Sequence, residues 1–293
     1  MENKIQNKII NPSSQIYYIT EILKNYGYNN DENKVDFAAE IDRFDLIKIL
    51  IQSGEKGTKD AIAYAAGNGQ LEIIKYLHKL GYKGNKLVIN NAAENGHLEV
   101  LKYLHELGYK GTKDAINYAA MNGHLEVTKY LHELGYKGTK DAINNAVVDG
   151  YLDVVKYLIS LNYKINETDF MCVVFNEHLH ILKYFNSLNL RGPENLIDHA
   201  AMYGHLNVIK YLISQNYKVN DDAFINAVKI RHLHILKYFI ENLNLRGPEN
   251  LIDVAFSNLM RPINLIEIVF SNFMGRENSH LEVVKYLHEK GYK

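Results

Sequence analysis

Residues 111–137 read GTKDAINYAAMNGHLEVTKYLHELGYK, and the rest of the chain is this stretch repeated with variation. Displaced by the interval that separates Lys102 from Lys129, the same features return. Lys48, Lys75, Lys102, Lys129, Lys156, Lys183, Lys210 and Lys237 form a file without a slip in register. Seven of these lysines precede a tyrosine, from Tyr76 to Tyr238; Ile49 follows the first. A fixed period in this range marks a stacked array of helical repeats. Full units run 30–56, 57–83, 84–110, 111–137, 138–164, 165–191 and 192–218, and an eighth, 219–246, is one residue longer. Residues 1–29 read as a worn N-terminal capping repeat, and 247–293 as irregular C-terminal repeats or a cap.

Each unit predicts two short helices. In 111–137 the first covers about Thr112 to Asn122, since Pro193 and Pro248 stand at the threonine's position and proline suits a helix's first turn. Small pairs such as Ala119-Ala120 recur and allow helices to approach closely. Gly123 can take positive φ between the helices. The second helix, about His124 to Leu134, carries Glu126 at its positive end. Gly135 ends it, with Tyr136 placed for a Schellman contact onto Leu131; Asn162, Asn189 and Asn216 replace that glycine in later units. Asp42, Glu177 and Arg231 replace the inter-helix glycine, at a cost of about 1 kcal/mol each if the backbone is left-handed there. Those units should be the softer ones.

Near the end the period breaks. NLIDVAFSNLM (250–260) is nearly copied as NLIEIVFSNFM (264–274) before HLEVVKYLHEKGYK (280–293) restores the second-helix pattern. Because 263–271 parallels 206–214, the expected pairing is 250–259 with 263–272, leaving the last helix as an unpaired cap.

Composition narrows the function. A unit as short as 111–137 falls below the roughly 40 residues that a core of its own requires, so the repeats should share one along the array. A formal net charge of −1 argues against a nucleic-acid-binding surface. One cysteine, Cys172, fits a reducing compartment, and the absence of an apolar leader or a spanning run predicts an intracellular, cytoplasmic protein without a membrane partner.

The runs AAMNGHLEVTKYLHELG (119–135), AAENGHLEVLKYLHELG (92–108) and AAMYGHLNVIKYLIS (200–214) resemble the ankyrin repeat. The resemblance implies an all-α, helix-turn-helix solenoid that binds other proteins without catalysis and without a cofactor. Two departures stand out. Asp114-Ala115-Ile116-Asn117 replaces the family's usual T-P-L-H opening, and the units are about six residues short. The missing stretch would have formed the β-hairpin finger, so a solenoid without long fingers is expected. The Asn-, Lys-, Ile- and Tyr-rich composition is similar to ankyrin proteins of giant DNA viruses of amoebae, which would make the partner a host protein.

Catalytic and metal chemistry find little support. His97, His124, His178, His205 and His232 share one repeated position, and stacked helices lie about 8–10 Å apart, too far for ligands that must each stand ~2 Å from one metal. The pairs His178/His180 and His232/His234, spaced i,i+2, should not share a helical face. A histidine stabilising the turn accounts for the column. Glu72, Glu99, Glu126 and Asp153 stand three residues before their lysines and neutralise the first half of the file; from residue 165 the partners become His180, Asn207 or His234. That half alone can be locally basic, although a solvated face is the simpler reading. The tyrosine file should pack between repeats, and Cys172 reads as core. Pro262, Leu265, Ile266, Val269 and Phe270 are spaced like the opening of an F-box, which would make the chain an adaptor delivering proteins to a ubiquitin ligase. A degenerate repeat explains the same residues.

The positions that vary most between units are the two before the turn glycine: Gly67-Asn68, Glu94-Asn95, Met121-Asn122, Val148-Asp149, Phe175-Asn176, Met202-Tyr203 and Lys229-Ile230. In the ankyrin proteins that this chain resembles, these positions face the concave groove. Met121, Asn122, Val148, Asp149, Phe175, Asn176, Met202, Tyr203, Lys229 and Ile230 are therefore the candidate partner-binding residues, with the apolar ones forming a track of anchors.

Overall fold

The repeat appears in three dimensions as a succession of helix pairs. The structure, a computed structural model, describes residues 12–259 and 279–293, and all regular elements among these are helical. After α1 (Pro12–Lys24) come α2 (Lys34–Glu40) with α3 (Phe44–Gln52), α4 (Lys59–Gly67) with α5 (Leu71–Lys79), and α6 (Val88–Glu94) with α7 (Leu98–Glu106). Next are α8 (Asp114–Met121) with α9 (Leu125–Glu133), and α10 (Lys140–Val148) with α11 (Leu152–Ser160). These belong to one compact unit, Met1–Lys164; a second, Ile165–Lys293, begins at a repeat boundary. It holds α12 (Glu167–Phe175) with α13 (Leu179–Ser187), α14 (Leu196–Tyr203) with α15 (Leu206–Ser214), and α16 (Asp221–Lys229) with α17 (Leu233–Lys237). Last come α18 (Leu251–Leu259) and α19 (Ser279–Glu289). Each unit is a helix-turn-helix solenoid without strands among the described residues, as the shortened connections require.

The apolar periodicity explains the packing. First helices stack on one another within each unit, and the alanine pairs there are fully buried. Second helices contribute one stripe each, such as Val127, Thr128 and Leu131 on α9. The Schellman cap forms as its residues predict. The Tyr136 N–H donates to the Leu131 carbonyl at 3.1 Å and the Gly135 N–H to the His132 carbonyl at 2.9 Å. Asn162, Asn189 and Asn216 take positive φ in place of the capping glycine. Asp42, Glu177 and Arg231 also sit in the left-handed region, with φ of 56°, 56° and 66°. Their conformation is imposed by the repeat rather than chosen by the side chain.

The first helices start later than the sequence suggests. Thr58 and Thr139 are N-caps whose hydroxyls accept from the Asp60 and Asp141 N–H groups at 3.1 Å. Pro193 and Pro248 stand three residues ahead of α14 and α18, outside the first helical turn. What fixes these entries is the preceding repeat. The Asp36 carboxylate accepts from the Thr58 N–H at 2.8 Å and hydroxyl at 2.6 Å, and the Asn117 amide exchanges bonds of 3.0 Å with Thr139. The connection also runs close beneath the neighbour: a Cβ on Gly111 would meet Ile89 Cγ2 at 2.5 Å. Tyrosines finish the join, with the Gly111 N–H donating to Tyr136 Oη at 2.9 Å and the Tyr163 hydroxyl donating to the Gly138 carbonyl at 3.2 Å.

The C-terminus corrects the expected pairing. α18 packs against α19, so the last helix is not an unpaired cap but the second half of the final repeat. The Gly247 N–H donates to Tyr292 Oη at 2.8 Å, the same bond as elsewhere, although the two residues are 45 apart instead of 25. That excess of chain is an insertion between the helices of the final repeat. Residues 263–272 and the F-box-like stretch from Pro262 to Phe270 lie outside the described residues. The extra residue of the eighth unit also finds its place: α17 widens into a π-helical turn, Tyr238–Asn242, and the closing bond runs from the Leu245 N–H to the Phe239 carbonyl at 3.0 Å, one residue longer than its counterparts.

Candidate interaction surface

Within each repeat the variable pair ends the first helix, where the chain must turn. In the second unit Phe175 is 52% exposed, Met202 37%, Tyr203 40% and Ile230 48%, and it is their recurrence at one repeat position that sets them apart from the other exposed apolar side chains. Phe175 and Tyr203, from adjacent repeats, meet edge to face with ring centroids 4.6 Å apart. Lys229 is exposed beside Ile230. In the first unit Val148 and Asp149 are exposed and Met121 is half-buried. Asn122 and Asn176 turn back onto their own helices, donating to the Tyr118 and Cys172 carbonyls at 3.1 Å. Those two asparagines act as helix ends more than as outward-facing groups.

The histidine column explains why the backbone here is fixed while the side chains vary. His205 Nε2 bonds the Phe175 carbonyl at 2.9 Å and His232 Nε2 the Met202 carbonyl at 3.1 Å; His97 and His124 treat Gly67 and Glu94 in the same way. Each histidine thus seals the helix end of the repeat before it. It also sets the glycine in the turn, since a Cβ on Gly96 would lie 2.6 Å from His124 Nδ1. Where Glu177 replaces that glycine, its carboxylate lies 3.3 Å from His205 Nδ1.

One residue was missed by sequence reasoning. Phe256, 50% exposed on α18, continues the register of Phe175, Met202 and Lys229 by one more period. The signal was legible, because NLIDVAFSNLM aligns with earlier first helices, but the broken period beyond residue 246 hid it.

The other candidates resolve into structure. Lys75, Lys102 and Lys129 pair with Glu72, Glu99 and Glu126 at 2.8–2.9 Å, and Lys156 with Asp153 at 3.5 Å. Tyrosines of the file pack against the preceding repeat: Tyr130 on His105, Tyr157 on His132, and Tyr211 beneath Lys183. His178 and His180 do come together, with ring centroids 5.7 Å apart, as do His232 and His234. The first of each pair is an N-cap with ψ of 62° or 69°, so helical spacing does not apply to it. Among the described residues no group of three or more His, Cys, Asp or Glu side chains could hold a metal ion. Burial pushes the Cys172 thiol up, away from a reactive thiolate.

Paired helices joined by short connections and bonded repeat to repeat within each unit define a helical-repeat protein. Models of the ankyrin repeat match residues 35–114, 89–169 and 197–240, together more than half of the chain, which belongs to the ankyrin-repeat family. Comparison with curated proteins gives no match. Solved structures that match include the pentatricopeptide repeat protein PPR10 in complex with an 18-nt psaJ RNA element, at 10% identity and a TM-score of 0.39, covering 98% of this chain and 47% of that one. A cysteine-substituted form of PPR10 in the same kind of complex scores the same. The chain thus spans about half the length of the solved proteins it matches.

Proposed function

We propose that this ankyrin-repeat chain is a non-catalytic scaffold that binds a partner protein, inside the cell, through the track at the ends of its first helices. The observation that carries this reading is the exposed cluster of Phe175, Met202, Tyr203 and Ile230, held on a backbone that the repeat fixes. Large apolar and aromatic anchors dominate protein–protein binding energy, and here they vary while the scaffold around them repeats. Phe256 extends the track, Lys229 supplies a charged edge, and Val148 and Met121 offer the corresponding positions of the first unit. Ankyrin proteins use the same positions in a concave groove, which supports partner contact on that face.

The test is a double substitution. Phe175→Ala with Met202→Ala should abolish capture of the partner found by proximity labelling in the source cell, while far-UV circular dichroism stays unchanged. Loss of helicity would instead make these side chains core and remove the track as a site. Retained capture with intact helicity would place binding elsewhere.

A further inference from the structure

The lysine file behaves differently in the two units, and the difference lies on the second helices, away from the apolar track. In the first unit Lys75, Lys102, Lys129 and Lys156 are each tied to a carboxylate three residues earlier. In the second unit the same three-residue offset delivers His180, Asn207 and His234, and Lys183, Lys210 and Lys237 enter no ion pair among the described residues. All three lysines are exposed. Each extends over the tyrosine of the following repeat, with Nζ 5.7 Å from the Tyr211 ring centroid, 5.3 Å from Tyr238 and 5.7 Å from Tyr286. Those contacts hold the ammonium groups in a row. Glu241, at the end of the row, has its carboxylate held by Lys290 Nζ at 2.9 Å and the Tyr286 hydroxyl at 3.2 Å. It also lies within electrostatic reach of Lys237, so that end of the row is partly neutralised while Lys183 and Lys210 are not.

We propose that the row Lys183, Lys210 and Lys237 docks an acidic peptide in extended conformation. Neighbouring helices are about 8–10 Å apart, and an extended chain in the polyproline II form rises about 3.1 Å per residue with about three residues per turn, so carboxylates at every third residue fall on one face and match one lysine per repeat. The chemistry favours a peptide over single-stranded nucleic acid. Base stacking needs open aromatic faces, whereas Tyr211 and Tyr238 are half-buried, Tyr286 is buried, and a lysine already covers each ring. A row of three charges also supplies little of the counterion release that drives nucleic-acid binding.

The experiment uses the full chain and a fluorescein-labelled peptide with glutamate at every third position, read by anisotropy at low salt. Its controls are the glutamine counterpart of the peptide and an oligouridine of similar length. The glutamate peptide should bind, weaken as salt rises, and lose about tenfold in affinity with K183Q/K210Q/K237Q. The matching variant of the first unit, K75Q/K102Q/K129Q, should bind within about twofold of the unaltered chain. Circular dichroism of both variants reports folding. Undetectable binding of the glutamate peptide, equal binding by both lysine variants, or preference for oligouridine would each overturn the proposal.

Discussion

At the scale of single residues, the repeat shows which side chains are bound by their neighbours and which carry unrelieved cost. Asp198 occupies the position that in other repeats grips the next helix entry. Its Oδ2 accepts from the Asn220 side chain at 3.0 Å, but Oδ1 is buried without a partner. Desolvation raises its pKa above the ordinary carboxylate value, partly offset by the Asn220 bond. A raised folded-state pKa means the fold prefers the protonated acid; ionisation costs stability as pH rises through that value, and nothing is lost where both states are protonated. Asp198→Asn should therefore add about 1 kcal/mol near neutral pH and nothing below about pH 3, by urea unfolding. The turn glycines make the opposite case. Gly96→Ala puts a Cβ 2.6 Å from His124 Nδ1 at a φ of +77°, and should cost about 1–3 kcal/mol. Arg231→Gly, relieving a φ of 66°, should gain about 0.5–1 kcal/mol in the same assay.

Individual elements show where local pattern was sufficient. Helix ends at Gly135, Asn162, Asn189 and Asn216 were legible because αL caps demand glycine or asparagine, and the structure places them there. Helix starts were less so. The threonine hydroxyl caps from outside the helix, and the grip of Asp36 or Asn117 on the next threonine depends on a residue 22 positions away. The final helix illustrates the same limit: α19 is placed by Tyr292, which is 3% exposed and accepts from the Gly247 N–H, and by Glu241 in the π-helical turn. Tyr292→Phe leaves that buried N–H without an acceptor and should destabilise the last repeat by about 1–3 kcal/mol. Hydrogen exchange should speed up across 279–293 first; uniform protection after the substitution would show that the bond contributes little.

For the whole molecule, nearest-neighbour packing sets the expectation. Stability in a repeat array is a sum of repeat and interface terms, and a few stacked repeats suffice for a core. The two compact units divide at a repeat boundary, so fragments 1–164 and 165–293, expressed separately, should each be helical and unfold cooperatively in urea. A fragment that is unfolded by circular dichroism would show that its repeats depend on the rest of the chain.

The amino-acid sequence by itself determined the helix pairs, their period and the glycine or asparagine caps that end the second helices, because each recurs often enough to be unmistakable. It also singled out the variable pair, since positions under no packing demand are the ones that drift. The tertiary structure alone decided which of those residues project: Phe175, Tyr203 and Ile230 stand out, while Asn122 and Asn176 fold back on their helices. It likewise decided that α19 closes the last repeat across the interruption in the period. The reason is common to both. These outcomes depend on contacts between repeats, and a contact between repeats leaves its signature in sequence only where the register between them is unbroken.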